Sequence, residues 1–329
     1  MGEDMNVLVT GGAGYIGSVV VEMLIQQNFG VVVVDSLIEG HKSAIPSDIP
    51  FYKEDIGTRK VIKKILVENK IDAVVHMAGE TLVSKSMTHP EDYFINNVAK
   101  GLELLEAMRE SNVKRIIFSS TAALFGNPEF TPITEEHPTN PINSYGRSKL
   151  MFEQMLEWFN RAHGLNYVCL RYFNAAGATE EHGEHHLIET HLIPIVLQTA
   201  LGKRDHVDIY GNDYDTRDGT CIRDYIHVED LAMVHVEALR RMDEIGPQKL
   251  NLGNGEGYSV REVIEAAREI TGHPIPARET ERRLGDPAVL VASSERTRSL
   301  LKVKFKYPEI KQIVETAWKW HSKYPNGYK

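Results

Sequence analysis

Residues 7–18, VLVTGGAGYIGS, place Gly11, Gly12, Gly14 and Gly17 within seven positions, between an apolar β-branched run and a segment of helical periodicity. Gly11, Gly14 and Gly17 form G-x-x-G-x-x-G at a strand-to-helix junction. Glycine there permits a tight turn, lets the backbone approach a pyrophosphate, and lets the helix pack closely on the strand, while the helix N-terminus favours the phosphate charge. The next apolar run, VVVVD, ends in Asp35, 18 residues beyond Gly17. A carboxylate at that point accepts hydrogen bonds from an adenosine ribose and repels a 2′-phosphate. Ser36 and Leu37, which follow, supply no arginine for such a phosphate, so the pattern predicts NAD rather than NADP.

The period of the turn's flanks continues along the chain. NVLVT, VVVVD, AVVHM, RIIFSS and YVCLRYF read as buried strands, and the segments after Gly14, Thr58, Pro90 and Ser144 read as helices. Strands alternating with helices predict an α/β fold, a Rossmann-type doubly wound parallel sheet. Beyond residue 178 the pattern becomes irregular, which predicts a second, smaller α/β substrate domain. The expected division is discontinuous: 1–178 with 222–251 rejoining it, and 179–221 with 252–329 as the smaller unit.

Composition narrows the partners. The 329 residues carry 37 Lys and Arg against 46 Asp and Glu, a formal charge of -9 with no basic stripe, so neither nucleic acid nor an anionic membrane is expected. No apolar run is long enough to span a bilayer, and the opening MGEDMN has no signal-peptide core. Two cysteines, Cys169 and Cys221, suit a reducing compartment, and the expected location is the cytoplasm.

Chemistry points to SYGRSK, in which Tyr145 and Lys149 stand four residues apart and share one helical face. An ammonium beside a phenol favours the phenolate, which makes a general acid/base usable near neutrality. The same spacing recurs as Tyr307 and Lys311 in YPEIK, where no dinucleotide motif precedes it and a surface location is expected. Context separates the two, because RIIFSST delivers Ser119, Ser120 and Thr121 to the sheet edge at which open α/β sheets bind ligands. The segment EEHGEHHLIETH groups His182, His185, His186 and His191 with glutamates but lacks a metalloenzyme spacing such as H-E-x-x-H, so a solvated loop and no metal are expected.

Together, the glycine turn, the Ser/Thr strand end and Y-x-x-x-K resemble the extended short-chain dehydrogenase/reductase family. RYFNAAGA, HLIPIVLQTALGKR, DGTCIRDYIHVEDL, NLGNGEGYSVREV, RRLGDPAVLVAS and WKWHSKYPNGY resemble its sugar-nucleotide 4-epimerases, which interconvert UDP-glucose and UDP-galactose with tightly bound NAD. The resemblance implies that Tyr145 is the acid/base at the sugar 4-hydroxyl, that Thr121 hydrogen-bonds there, and that Lys149 holds the nicotinamide ribose. It implies NAD contacts at Gly11, Gly14, Tyr15, Ile16, Gly17, Asp35, Asp55, Ile56, Met77, Ala78, Gly79, Asn96 and Phe173. For the UDP-sugar it implies Asn174, His191 or Leu192, Tyr210, Arg223, Arg283 and Asp286, with Leu290 beside the sugar C2 substituent. Leucine at 290 would leave room for N-acetyl sugars. Ala122 and Ala123 offer no acid or base for a 4,6-dehydratase. Epimerases or decarboxylases of UDP-hexuronates or pentoses, and a non-catalytic NAD-sensing module, remain as alternatives. A homodimer through two helices of the sheet domain is implied as well.

Overall fold

The strands are β1 (Asn6–Thr10), β2 (Gly30–Asp35), β3 (Phe51–Lys53), β4 (Ala73–His76), β5 (Arg115–Thr121), β6 (Asn166–Tyr172), β7 (Asn174–Ala176), β8 (Val207–Tyr210), β9 (Ile222–His227), β10 (Gln248–Leu252), β11 (Gly257–Ser259), β12 (Ala277–Thr280) and β13 (Val289–Leu290). The helices are α1 (Tyr15–Gln26), α2 (Arg59–Glu68), the short α3 (Val83–Ser86) and α4 (Pro90–Tyr93), α5 (Lys100–Glu110), α6 (Ser144–His163), α7 (Leu192–Ala200), α8 (Val228–Ile245), α9 (Val260–Thr271), α10 (Glu295–Leu301) and α11 (Ile310–Lys323). This computed structural model describes residues 5–283 and 286–328; most of the opening MGEDMN lies outside them.

Seven parallel strands form the main sheet in the order β10-β6-β5-β4-β1-β2-β3. The chain leaves β1 toward β2 on one side and returns to β4 on the other, which opens a crevice beyond the carboxyl ends of β1 and β4. Strands buried on both faces need β-branched residues throughout. Val7, Val9, Val31 and Val33 face one core with α1 and α8, while Leu8, Val32, Val34 and Val74 face the other with α2, α5 and α6. All five strands read from sequence are present. The sequence reading did not identify β3 and β10, which lie at the two sheet edges, where half-exposed strands lack a continuous apolar run.

The second unit has a four-stranded sheet in which β9 pairs with β7, β11 and β13, and a parallel pair β8 and β12. Helices α7, α9 and α11 enclose its own core around Val196, Val263, Ile313 and Val314. Of residues 222–251, α8 and β10 join the main sheet, whereas β9 stays in the small one. Asn174 of β7 and Leu290 of β13 both register against β9, opposite Tyr225 and Arg223. Leu301 and Phe305 of the C-terminal segment pack into the core around α8.

Candidate active site

The glycine turn separates into two demands. Gly11 has φ +71°, and a Cβ on it would lie 2.6 Å from the Ala78 nitrogen; one on Gly17 would strike the Gly11 carbonyl. Those two are required by packing. At Gly14 a Cβ would make only an ordinary contact, 3.4 Å from the Gly11 oxygen. Apart from that oxygen nothing lies within 4 Å of the position, which is the N-cap of α1 and offers the helix no side-chain cap. That is the cradle a pyrophosphate requires. Tyr15 turns inward, its hydroxyl donating to the Gly177 carbonyl at 2.7 Å, and Ile16 packs beside the core. Asp35 is buried at the end of β2 and accepts from the Ala13 and Leu37 amides at 2.9 and 2.8 Å. Burial raises its pKa and these two N–H groups oppose the rise. Asp55 accepts from the Gly57 amide at 2.8 Å and from Lys100 at 2.5 Å. It does not cap α2, whose N-cap is Thr58 without a side-chain cap bond, and Ile56 is buried behind it.

At the switch point, Thr10 and His76 are joined at 2.8 Å, and the Met77 amide donates to the Thr10 carbonyl at 3.0 Å. Burial and the nearby Lys149 lower the His76 pKa to about 3, so this imidazole is neutral. The following Met77-Ala78-Gly79 segment is held by Asn97, which accepts from the Glu80 amide at 2.8 Å and donates to the Glu80 carbonyl and to Ser148 at 3.1 and 3.0 Å. Residues Phe94–Ala99 form a π-helical turn, a feature that concentrates at functional sites because the extra residue redirects side chains. The turn makes Asn97 the buried clamp and leaves Asn96 half-buried. A residue pattern gives no signal for that division.

Thr121 ends β5, and its hydroxyl accepts from the Ala123 amide at 3.1 Å. Tyr145 and Lys149 lie on the first turns of α6, whose N-cap Asn143 accepts from the Gly146 amide. Spacing predicts that Lys149 lowers the Tyr145 pKa. In this fold burial raises it, and the Thr121 hydroxyl is the group that pulls it down. The reason is the placement of Lys149. Its ammonium donates to the Ser119 carbonyl at 3.0 Å, lies over the Phe118 ring, and faces Gly79. It is 2% exposed, and burial lowers its pKa to about 8. A buried ammonium held by a carbonyl retains donors for a ligand hydroxyl. Behind these groups, Arg171 and Glu153 form a buried bidentate pair at 3.1 and 2.8 Å, and Glu153 accepts from Ser120 at 2.6 Å.

Across the cleft, Arg223 donates to the Ile222 and Pro287 carbonyls and stands 3.6 Å from Asp286. The Arg283 guanidinium lies 4.3 Å from the Tyr210 ring centre. Asn174 donates to the Asp224 carbonyl at 3.1 Å. Leu290 is the register partner of Arg223 and packs, with Phe173, on the Ala122, Leu124 and Phe125 cluster that directly follows Thr121. This contact joins the arginine-bearing sheet to the segment after Thr121, whose hydroxyl bonds the Tyr145 phenol. Leu192 begins α7 and packs on the second core.

The segment 180–191 departs from expectation. Only part of it is a solvated loop: Leu187, Ile188 and His191 are exposed, but His182 and Glu184 are buried, Gly183 lies flush on Trp320, and His185 stacks on His41. These aromatic surfaces supply the cover that a polar segment alone does not announce. His191 meets Glu184 and Glu189 at 2.9 Å each, and His186 meets Glu189 at 3.1 Å. Burial disfavours the His191 cation, yet the two carboxylates raise its pKa to about 10.

Residues 7–253 match the model of the NAD dependent epimerase/dehydratase family. The chain belongs to this family. Among its relatives, a UDP-glucose 4-epimerase of Halalkalibacterium halodurans is 51% identical, with 98% of each chain covered. A UDP-glucose 4-epimerase of Streptococcus mutans is 48% identical, covering 98% of this chain and 99% of the other. The solved UDP-glucose 4-epimerase of Bifidobacterium longum, in complex with NAD+ and UDP, is 39% identical and superposes with a TM-score of 0.94 over 98% of this chain and all of the other.

Proposed function

We propose that this protein interconverts UDP-glucose and UDP-galactose through transient oxidation at sugar C4. The observation that carries the reading is the junction at Leu290, which brings the Arg223 sheet against the segment that follows Thr121, the residue whose hydroxyl bonds the Tyr145 phenol. Epimerisation is supported over dehydration, decarboxylation or a non-catalytic module, because the relatives named above are epimerases over their full length.

NAD, when bound, supplies the reversible two-electron oxidation. In this reading the glycine turn, Asp35 and Asp55 hold it, and the residues at the ends of β4 and β5 position it. Tyr145 takes the proton of the sugar 4-hydroxyl and later returns it, with Thr121 steadying the phenolate by a hydrogen bond. Lys149 binds ribose hydroxyls. Arg223 and Arg283 hold the diphosphate through paired N–H donors while the sugar turns between the two proton transfers. Residues 1–178 with α8 and β10 serve the cofactor, and 179–221 with most of 252–329 serve the UDP-sugar. The leucine wall at 290 admits N-acetyl sugars.

A homodimer accompanies this reading, formed through α5 and α6. Leu102 on α5, 41% exposed, Ile95 in the π-helical turn before it, 52% exposed, and Trp158 on α6, 65% exposed, supply an apolar outer face. No described helix is long and apolar enough to cross a membrane. Both cysteines are free and buried, which supports a cytoplasmic location. The test is to incubate purified protein with UDP-galactose or UDP-N-acetylgalactosamine, with and without added NAD, and to identify the sugar products. UDP-glucose without net NADH is expected; stoichiometric NADH, or an unchanged C4, overturns the reading.

A further inference from the structure

Among the described residues, one group of potential metal ligands comes from a single segment: Glu184, His186, Glu189 and His191, whose ligand atoms all fall within 4.8 Å of one another; His191 in this role leaves Leu192 as the UDP-sugar contact of that pair. The chain order is E-x-H-x-x-E-x-H. We propose that these four side chains form a closed site for zinc or a similar divalent transition-metal ion, and that the ion fastens the 180–191 segment to the start of α7.

Geometry carries the proposal. Four of the six ligand-to-ligand edges are 3.6 Å (His186 to Glu184), 3.1 Å (His186 to Glu189), and 2.9 Å from His191 to each glutamate. Tetrahedral zinc with bonds of about 2.0–2.1 Å places its ligands roughly 3.3–3.4 Å apart, so the observed edges straddle the required value. Both histidines present Nδ1 inward, which leaves each Nε2 free to face away. Two imidazoles with two carboxylates suit a borderline ion, whereas magnesium and calcium select all-oxygen shells.

Charge and location agree with the geometry. Glu184 is buried, and its carboxylate shares the site with that of Glu189. Two positive charges would balance both carboxylates and leave the imidazoles neutral, removing the cost of burying like charges together. Four protein ligands leave no open position, so the ion has a structural role and takes no part in the proposed epimerisation. His186 stands edge-on to Tyr15 of the glycine turn, ring centres 6.4 Å apart, and His191 is the residue before α7. The ion would therefore brace the cofactor turn against the first helix of the second unit.

The test uses the untagged full chain. Metal analysis of protein purified with zinc present is expected to give one zinc per chain. Stripping with EDTA should lower Tm, equimolar zinc chloride should restore it, and magnesium chloride should not. Cobalt loading of the wild type should produce the intense visible absorption of a tetrahedral centre. His186→Gln and Glu189→Gln should lose the metal, and His185→Gln, outside the set, should keep it. The proposal is overturned if stripped wild type shows neither a zinc-dependent Tm shift nor the cobalt spectrum, or if His186→Gln and Glu189→Gln retain one zinc per chain. The wild-type cobalt and Tm readings decide the matter even if those variants fail to fold.

Discussion

Tyr145–Lys149 and Tyr307–Lys311 share one spacing and diverge in everything physical. Tyr145 and Lys149 both lie within α6, so four residues bring them to one face. Tyr307 precedes α11 and Lys311 lies inside it, so their spacing has no helical meaning. Lys149 is buried with a carbonyl as partner, whereas Lys311 is exposed and paired with Glu269. Tyr307 stacks on His227 at 3.9 Å and donates to Glu229. A motif acquires chemistry only when the fold withdraws it from water without neutralising it.

The largest effect that can break this comparison is expected for Tyr145→Phe, which deletes the hydroxyl and leaves the ring's packing against Tyr93. Turnover should fall by roughly 10²–10⁴, the ordinary contribution of a positioned acid/base. NAD retention, measured on the purified variant, should be unchanged. Near wild-type single-turnover rates would remove Tyr145 from the mechanism.

Lys149→Met sharpens the contrast through stability. Its pKa of about 8, against 10.5 for an ordinary lysine, corresponds to about 3 kcal/mol of disfavoured charge burial. Stripped of cofactor, the variant should be more stable at pH 7 by up to that amount, and catalytically impaired. The sign follows from linkage. Between pH 8 and 10.5 the folded lysine binds fewer protons than the unfolded one, so wild-type stability rises with pH across that window. Lys149→Met should flatten this rise in denaturant titrations. A variant less stable than wild type at every pH would show that the Ser119 contact outweighs the buried charge.

A smaller effect is expected for Thr121→Val. Loss of the hydroxyl removes the group that lowers the Tyr145 pKa, so the acidic limb of kcat/KM should move to higher pH, with Thr121→Ser restoring it. The lost bond to the Ala123 amide should cost about 1 kcal/mol. Smallest of all, Lys311→Met removes an exposed, solvent-screened ion pair and should leave both Tm and turnover at the wild-type values. A large loss there would erase the distinction between the two pairs.

The sequence by itself determined the sheet, the cofactor turn and the position of the phenol. Continuous β-branched runs, glycines whose Cβ atoms would strike backbone, and a carboxylate at the end of β2 are local requirements, and local requirements leave periodic marks. Tertiary structure alone decided three things. It buried the Tyr145 phenol, and burial raises the pKa that spacing alone predicts to be lowered. It chose Asn97 over Asn96 as the clamp, because a π-turn rotates side chains in a way no hydrophobic period records. It also drew Glu184, His186, Glu189 and His191 together, their ligand atoms within 4.8 Å of one another, in a segment whose His185 stacks on the sequence-distant His41. Charge and proton affinity depend on what surrounds a group in space, and a one-dimensional pattern does not carry those neighbours.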